Sequence, residues 1–168
     1  MTMNAVLKGP DALVGDKSRA LHAIWLKLTG DRLAPKREEF TLAHIRTLAP
    51  WVWSIDVIDG GKDFRFRLAG DRIIEFMQKR YAGAVLSELP RVPFFVRMHA
   101  ILSHCVAAKR PVAAGPFQSA YENKDHLEME VVVLPLSDDG ESVTALLGVM
   151  ELWPLGTMTK PSCSAIIS

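Results

Sequence analysis

The sequence predicts an α+β protein: a five-stranded antiparallel sheet with helices inserted between its second and third strands, preceded by a helical extension. Three observations carry this. Apolar residues recur at helical spacing up to Pro50, take a period of two in WVWSIDVI and again in Phe64–Leu68, and return to helical spacing between Ile73 and Cys105. After Pro111 three further apolar stretches follow. The links between these last stretches, Asn123-Lys124-Asp125 and Ser137-Asp138-Asp139-Gly140, are short and turn-rich, as antiparallel pairing requires. The chain thus divides into a helical extension over 1–50, a core over 51–153 and a tail over 154–168.

Residues 1–10 carry little pattern. Leu21, Ile24, Trp25 and Leu28 stand at i, i+3, i+4 and i+7, one stripe of a helix that Ser18 caps and Gly30 ends. Pro35 opens a second helical stretch, in which Phe40 or Leu42, Ile45 and Leu48 share a face before Pro50. In WVWSIDVI, Trp51, Trp53, Ile55 and Val57 point one way, and Ser54 and Asp56 the other. Asp59-Gly60-Gly61 turns the chain, and Phe64, Phe66 and Leu68 return on one face with Arg65 and Arg67 opposite. Gly70 ends that strand. A short helix carries Ile73, Ile74, Phe76 and Met77, and a helical turn after Gly83 closes at Leu89-Pro90. A longer helix is expected over Val92–Lys109, with Phe94, Met98, Ile101 or Leu102, and Cys105 at its spacing, until Arg110-Pro111 stops it. The last strands are expected at Val112–Tyr121, Leu127–Leu136 and Val143–Trp153.

With 168 residues and a formal charge of +1, the chain is expected to form one domain with no field directed at nucleic acid. Lys and Arg are scattered in pairs at most. No apolar run reaches membrane-spanning length, and the N-terminus lacks a basic patch before an apolar run, so a cytoplasmic protein is expected. Cys105 and Cys163 form neither a disulfide framework nor a metal motif, and Cys105 reads as a buried, inert thiol. The tail Lys160–Ser168 holds Cys163 and is expected to be mobile. His99 and His104 are five apart, roughly 500° of helical rotation, and do not share a face as a metal pair would. Glu128 and Glu130 do share a strand face. They alternate with Leu127, Met129 and Val131 and are expected to mark the solvent side of the sheet. GxSxG, HExxH, GxxxxGK[ST] and CxxC are all absent, and no catalytic or metal-ligating residue is assigned.

The order of elements, with Ala69–Leu89 (AGDRIIEFMQKRYAGAVLSEL) at its centre, resembles a PAS domain. More narrowly, the chain is similar to a family of stand-alone bacterial PAS-type proteins, with a Trp-containing first helix (Trp25 in HAIWLKLTG), a stretch such as PKREEF, and then RLAG. The resemblance spans Leu21 to Trp153. Gln78 departs from it, standing where many members have Gly after the helix. The resemblance implies a sensory or protein-interaction module. Such domains bind haem, flavin or a small metabolite between sheet and helices, or bind nothing and dimerise. A photoreactive flavin subtype would need a Cys near Gly83, and AGAVLSELP has none. Haem-binding members place an axial His on the long helix, where His99 stands. The ordinary role of a lone helical His is a surface or hydrogen-bonded one. No cofactor is singled out.

Trp51, Trp53, Phe64, Phe66, Phe117, Tyr121, Met129 and Val131 are expected to face the helices. With Phe76 and His99, the set Trp53, Phe64, Phe66, Phe76, His99, Phe117, Tyr121 and Met129 forms the candidate ligand site. The same residues can line a cavity or fill a solid core, and both readings stay open. The other sheet face mixes Arg65, Arg67, Asp56, Glu128 and Glu130 with Val52, Val132 and Leu134. The stripe Leu21, Ile24, Trp25 and Leu28 is expected to dock there, in its own subunit or across a dimer anchored by Trp25. The expectation is a stand-alone sensory module without catalysis, whose partners are a small molecule and a second copy or signalling protein. The alternatives are a ligand-free dimerisation domain, and a small helix-on-sheet enzyme or lipid carrier.

Overall fold

A computed structural model describes residues 7–158. Its strands are β1 (Leu7–Lys8), β2 (Val52–Ile58), β3 (Asp63–Ala69), β4 (Val112–Gln118), β5 (Leu127–Leu136) and β6 (Ala145–Pro154). Its helices are α1 (Asp16–Thr29), α2 (Leu42–Ile45), α3 (Asp71–Met77) and α4 (Pro93–Ala108). The strands form one antiparallel sheet in the order β1-β4-β5-β6-β2-β3. The sheet has six strands where five are expected. The extra one pairs Leu7 and Lys8 with Ala114 and Ala113, and two residues are too few to show an alternation in sequence. The expected tail segment Lys160–Ser168, with Cys163, lies outside the described residues.

Each face of the sheet carries its own apolar cluster. On the inner face Ile55, Phe64, Met129, Val133, Leu146 and Met150 meet Ile73, Phe76 and Met77 of α3 and Phe94, Ile101, Leu102 and Cys105 of α4. On the outer face Val52, Val132, Leu134, Leu147 and Val149 meet Leu21 and Trp25 of α1 together with Leu13, Ala34 and Leu48. Period-2 alternation along β5 and β6 supplies both sets, because successive side chains leave the sheet on opposite sides. Trp51 belongs to the outer set, not the inner one. It precedes β2, in a 3-10 turn over Ala49–Trp51, and so escapes the strand's alternation. A β-bulge between Ser54 and Ile55 shifts the β2–β3 register, so Leu68 leaves the regular alternation of Phe64 and Phe66. Leu68 sits opposite Ser54 and is 66% exposed.

The second expected helix is broken into a 3-10 turn at Arg37–Glu39, the single turn α2 and a further 3-10 turn. Four residues cannot hold a helical stripe across Phe40 to Leu48. Gln78 ends α3 in the left-handed conformation (φ 54°), the geometry for which Gly is the usual choice.

The first helix docks on the sheet of its own chain. Leu21 and Trp25 are buried, and the Trp25 Nε1–H donates to the Pro135 carbonyl at 2.8 Å. Its cap is not Ser18. Gly15 holds the N-cap position, and the exposed N–H groups of this end are taken by carboxylates from the sheet. Glu151 accepts the Ser18 N–H at 2.7 Å. Glu130 accepts those of Val14 at 2.9 Å and Gly15 at 2.8 Å. Glu130 and Glu151 are register partners on β5 and β6, so both point at the positive end of the helix dipole. Lys8 Nζ closes on Glu130 at 2.6 Å. Gly15 is needed for this approach, since a Cβ there would stand 2.3 Å from Glu151 Oε1.

These contacts correct the expectation for Glu128 and Glu130. Both are completely buried, under the segment that leads into α1 and under Gly156–Met158, where Glu128 accepts the Gly156 and Met158 N–H groups. Strand alternation identified their face correctly, but the face is covered. Asp56, on the same face, pairs with Arg37 at 2.5 Å and Arg67 at 3.5 Å.

Candidate functional site

A cavity of about 90 Å³ lies between the inner sheet face and the helices. Inward positions of the strands build its floor: Trp53 and Ile55 from β2, Phe66 from β3, Phe117 from β4, Met129, Val131 and Val133 from β5, and Met150 from β6. Its roof comes from Ile73, Ile74 and Met77 of α3 and from Phe94, Arg97, Met98, Ile101 and Leu102 of α4. The α4 residues follow i, i+3/i+4, i+7/i+8 spacing, one continuous helical face. Among the described residues no acidic side chain lines the cavity.

Trp53 lies flat on the floor because its register partner is Gly148. One end of the cavity reaches solvent. The exposed lining residues Leu68, Ala69, Lys79 and Ala82 frame the opening, and Arg97 is half-buried. The segment forming its rim is fixed to the sheet edge, where Gly83 N–H donates to Phe66 O at 2.7 Å and Phe66 N–H to Ala84 O at 2.9 Å.

Lys79 and Arg97 are the charged lining residues. The Arg97 guanidinium lies 4.6 Å over the Phe117 ring and makes one long bond, 3.4 Å, to the Gln118 carbonyl. Burial lowers its pKa, though a guanidinium stays cationic at any physiological pH. Lys79 Nζ stands 5.3 Å over the Tyr81 ring. Neither forms an ion pair among the described residues.

Beside the cavity, Tyr121 OH donates to Met77 O at 2.8 Å, so its 3.0 Å contact with Tyr81 is a bond that Tyr81 donates. Burial, and then this bond, push the Tyr121 phenol well above its ordinary pKa. The pair ties the end of α3 to the β4–β5 connection.

Of the expected ligand residues, Trp53, Phe66, Phe117 and Met129 line the cavity. Phe64, Phe76, Tyr121 and His99 do not. Phe64 and Phe76 are buried in the core, with Phe76 against Phe94 and Tyr121. His99 instead lines a separate surface groove of about 270 Å³ with Leu86, Pro90 and Phe95. Its Nε2 is 2.9 Å from Lys62 O, and the ring meets Phe64 edge-on at 5.5 Å. Haem does not fit this cavity: the candidate axial His is outside it, and its volume of about 90 Å³ is several-fold below the ~300 Å³ at which sites for larger ligands begin.

Sequence reasoning missed Arg97 and Lys79. Arg97 was legible, three residues after Phe94 and four before Ile101, hence on the cavity face of α4. Lys79 lies in an irregular segment with no period to read. Cys105 is wholly buried, with its thiol directed to the Arg110 carbonyl at 3.3 Å, and burial pushes its pKa up to about 12. Among the described residues no three His, Cys, Asp or Glu side chains converge as metal ligands would, and no helix is long and apolar enough to cross a membrane.

Comparison with known families finds a match to a model described as PAS domain, over residues 15–151. No curated protein matches the chain.

Proposed function

Because the chain belongs to the PAS domain family, we propose that it is a non-catalytic sensory module that takes a small apolar molecule into the cavity above Trp53. The observation that carries this is the cavity itself: about 90 Å³, walled by apolar side chains and open at one end. A solid core leaves no such volume, because protein interiors close-pack with few voids larger than a water. Apolar cavities of about 150 Å³ take up benzene-sized molecules, so the size suits a ligand of a few carbon atoms.

Occupancy would act on partners through differential affinity for two states of the domain. The sheet is common to both sides, with the cavity on one face and α1 on the other. Since Leu21 and Trp25 are consumed by the chain's own sheet, a contact through α1 to a second copy or a signalling protein falls to half-buried Ile24 and Leu28 and to Leu26, 53% exposed. A buried free thiol at Cys105 suits a reducing, cytoplasmic setting.

Native mass spectrometry of the purified protein, alone and with 1-pentanol added, tests the reading. A bound small molecule that is lost on denaturation and absent from Ile101→Phe, which fills the cavity, is the expected result. A bare mass under all conditions, with no thermal shift from the alcohol, would favour a ligand-free interaction domain.

A further inference from the structure

We infer that the cavity selects an amphipathic anion, a short aliphatic carboxylate, with its tail among Trp53, Met98, Ile101 and Met129 and its head between Arg97 and Lys79. This rests on the cavity reading proposed above and adds the charge and length of the ligand. Four observations converge. Among the described residues the charged lining residues are both cations, and no acid lines the cavity. Both reach solvent, Lys79 being exposed and Arg97 half-buried, so a head group held by them keeps water on one side while its tail is buried. Neither cation has an ion-pair partner among the described residues. Arg97 uses one N–H in a 3.4 Å bond, and packing on Phe117 orients its planar fork without neutralising it. A guanidinium with N–H groups to spare is the side chain best matched to a carboxylate. A cationic head would meet like charge at the mouth, and a neutral one would leave both cations unpaired.

Length follows from volume. If about 150 Å³ holds the six carbons of benzene, a cavity of about 90 Å³ holds roughly four. Each buried methylene is worth about a fourfold gain in affinity. Affinity should therefore climb about fourfold per carbon from acetate to pentanoate and then level off.

The test is an equilibrium titration, followed by 1H–15N NMR, with acetate through octanoate and with 1-pentanol and pentylamine as matched controls. Pentanoate is expected to bind roughly tenfold more tightly than pentanol, with pentylamine weakest. Arg97→Gln should remove most of that preference, so that pentanoate and pentanol bind this variant about equally. Lys79→Gln, at an exposed position, should weaken pentanoate more mildly and serves if Arg97→Gln fails to fold. Pentanol binding as tightly as pentanoate would overturn the anion assignment and leave the apolar cavity standing. If none of the three probes binds, the cavity reading fails and this inference with it. Affinity that keeps rising to octanoate would overturn the length limit.

Discussion

The indole of Trp53 lies over Gly148, its register partner on β6, so closely that a Cβ at residue 148 would stand 2.2 Å from Cζ2. The Val132 carbonyl oxygen, at 2.3 Å, blocks any sideways escape. Gly148→Ala should lift the ring toward the cavity. Overpacking of this kind costs about 1–3 kcal/mol. Urea unfolding should show that loss, and pentanol binding should weaken in the same variant. Wild-type stability and binding together would mean that Trp53 has room to move elsewhere.

Trp25 fastens α1 to the outer face by packing and by its bond to Pro135 O. Trp25→Ala should lose about 3–5 kcal/mol, the range for deleting a large buried ring. Trp25→Phe keeps most of the packing and should lose about 1–2 kcal/mol with the bond. Sedimentation of Trp25→Phe should give the wild-type assembly state, since the ring serves its own chain. A changed state would place Trp25 in a contact between chains.

Glu130 is the acceptor for Val14 and Gly15 N–H and the partner of Lys8. Glu130→Ala leaves those groups without it and should cost about 3–5 kcal/mol. Once Glu130 is gone, Lys8→Ala should add little, because the pair is then already broken. Urea midpoints of the two single variants and the double variant give the coupling directly. Additive losses would show that Lys8 and Glu130 act independently.

Cys105 should be inert. Its thiol is fully buried and burial pushes its pKa up to about 12, so at pH 8 almost no thiolate exists. In a Cys163→Ser background, iodoacetamide should add no mass to the folded protein and one adduct to the unfolded one. Rapid labelling of the folded protein would show that α4 opens readily.

What the sequence revealed followed the reach of its periods. Long alternating stretches located β5 within its true bounds, and the stripe Phe94 to Cys105 located α4. The family was legible from the same order of elements. Failures came where a local rule met a distant partner. Ser18 looked like a cap because nothing nearby revealed that Glu151, 133 residues away, already held its N–H. Glu130 looked solvated because its cover comes from Lys8, Val14 and Gly15, a stretch with no period of its own. Trp53, Phe66, Phe117 and Met129 were placed correctly by alternation. His99 was not placed by its helix, since only rotation about α4 decides which groove it meets.

The central claim, a cavity that admits a small apolar molecule, is tested most directly on the methionines. Four of the seven, Met77, Met98, Met129 and Met150, line the cavity. With 13C-methyl methionine and a titration of 1-pentanol, those four methyl resonances should shift together and saturate with one dissociation constant, while Met158 stays still. Four unmoved cavity methyls, or shifts confined to Met158, would contradict the account.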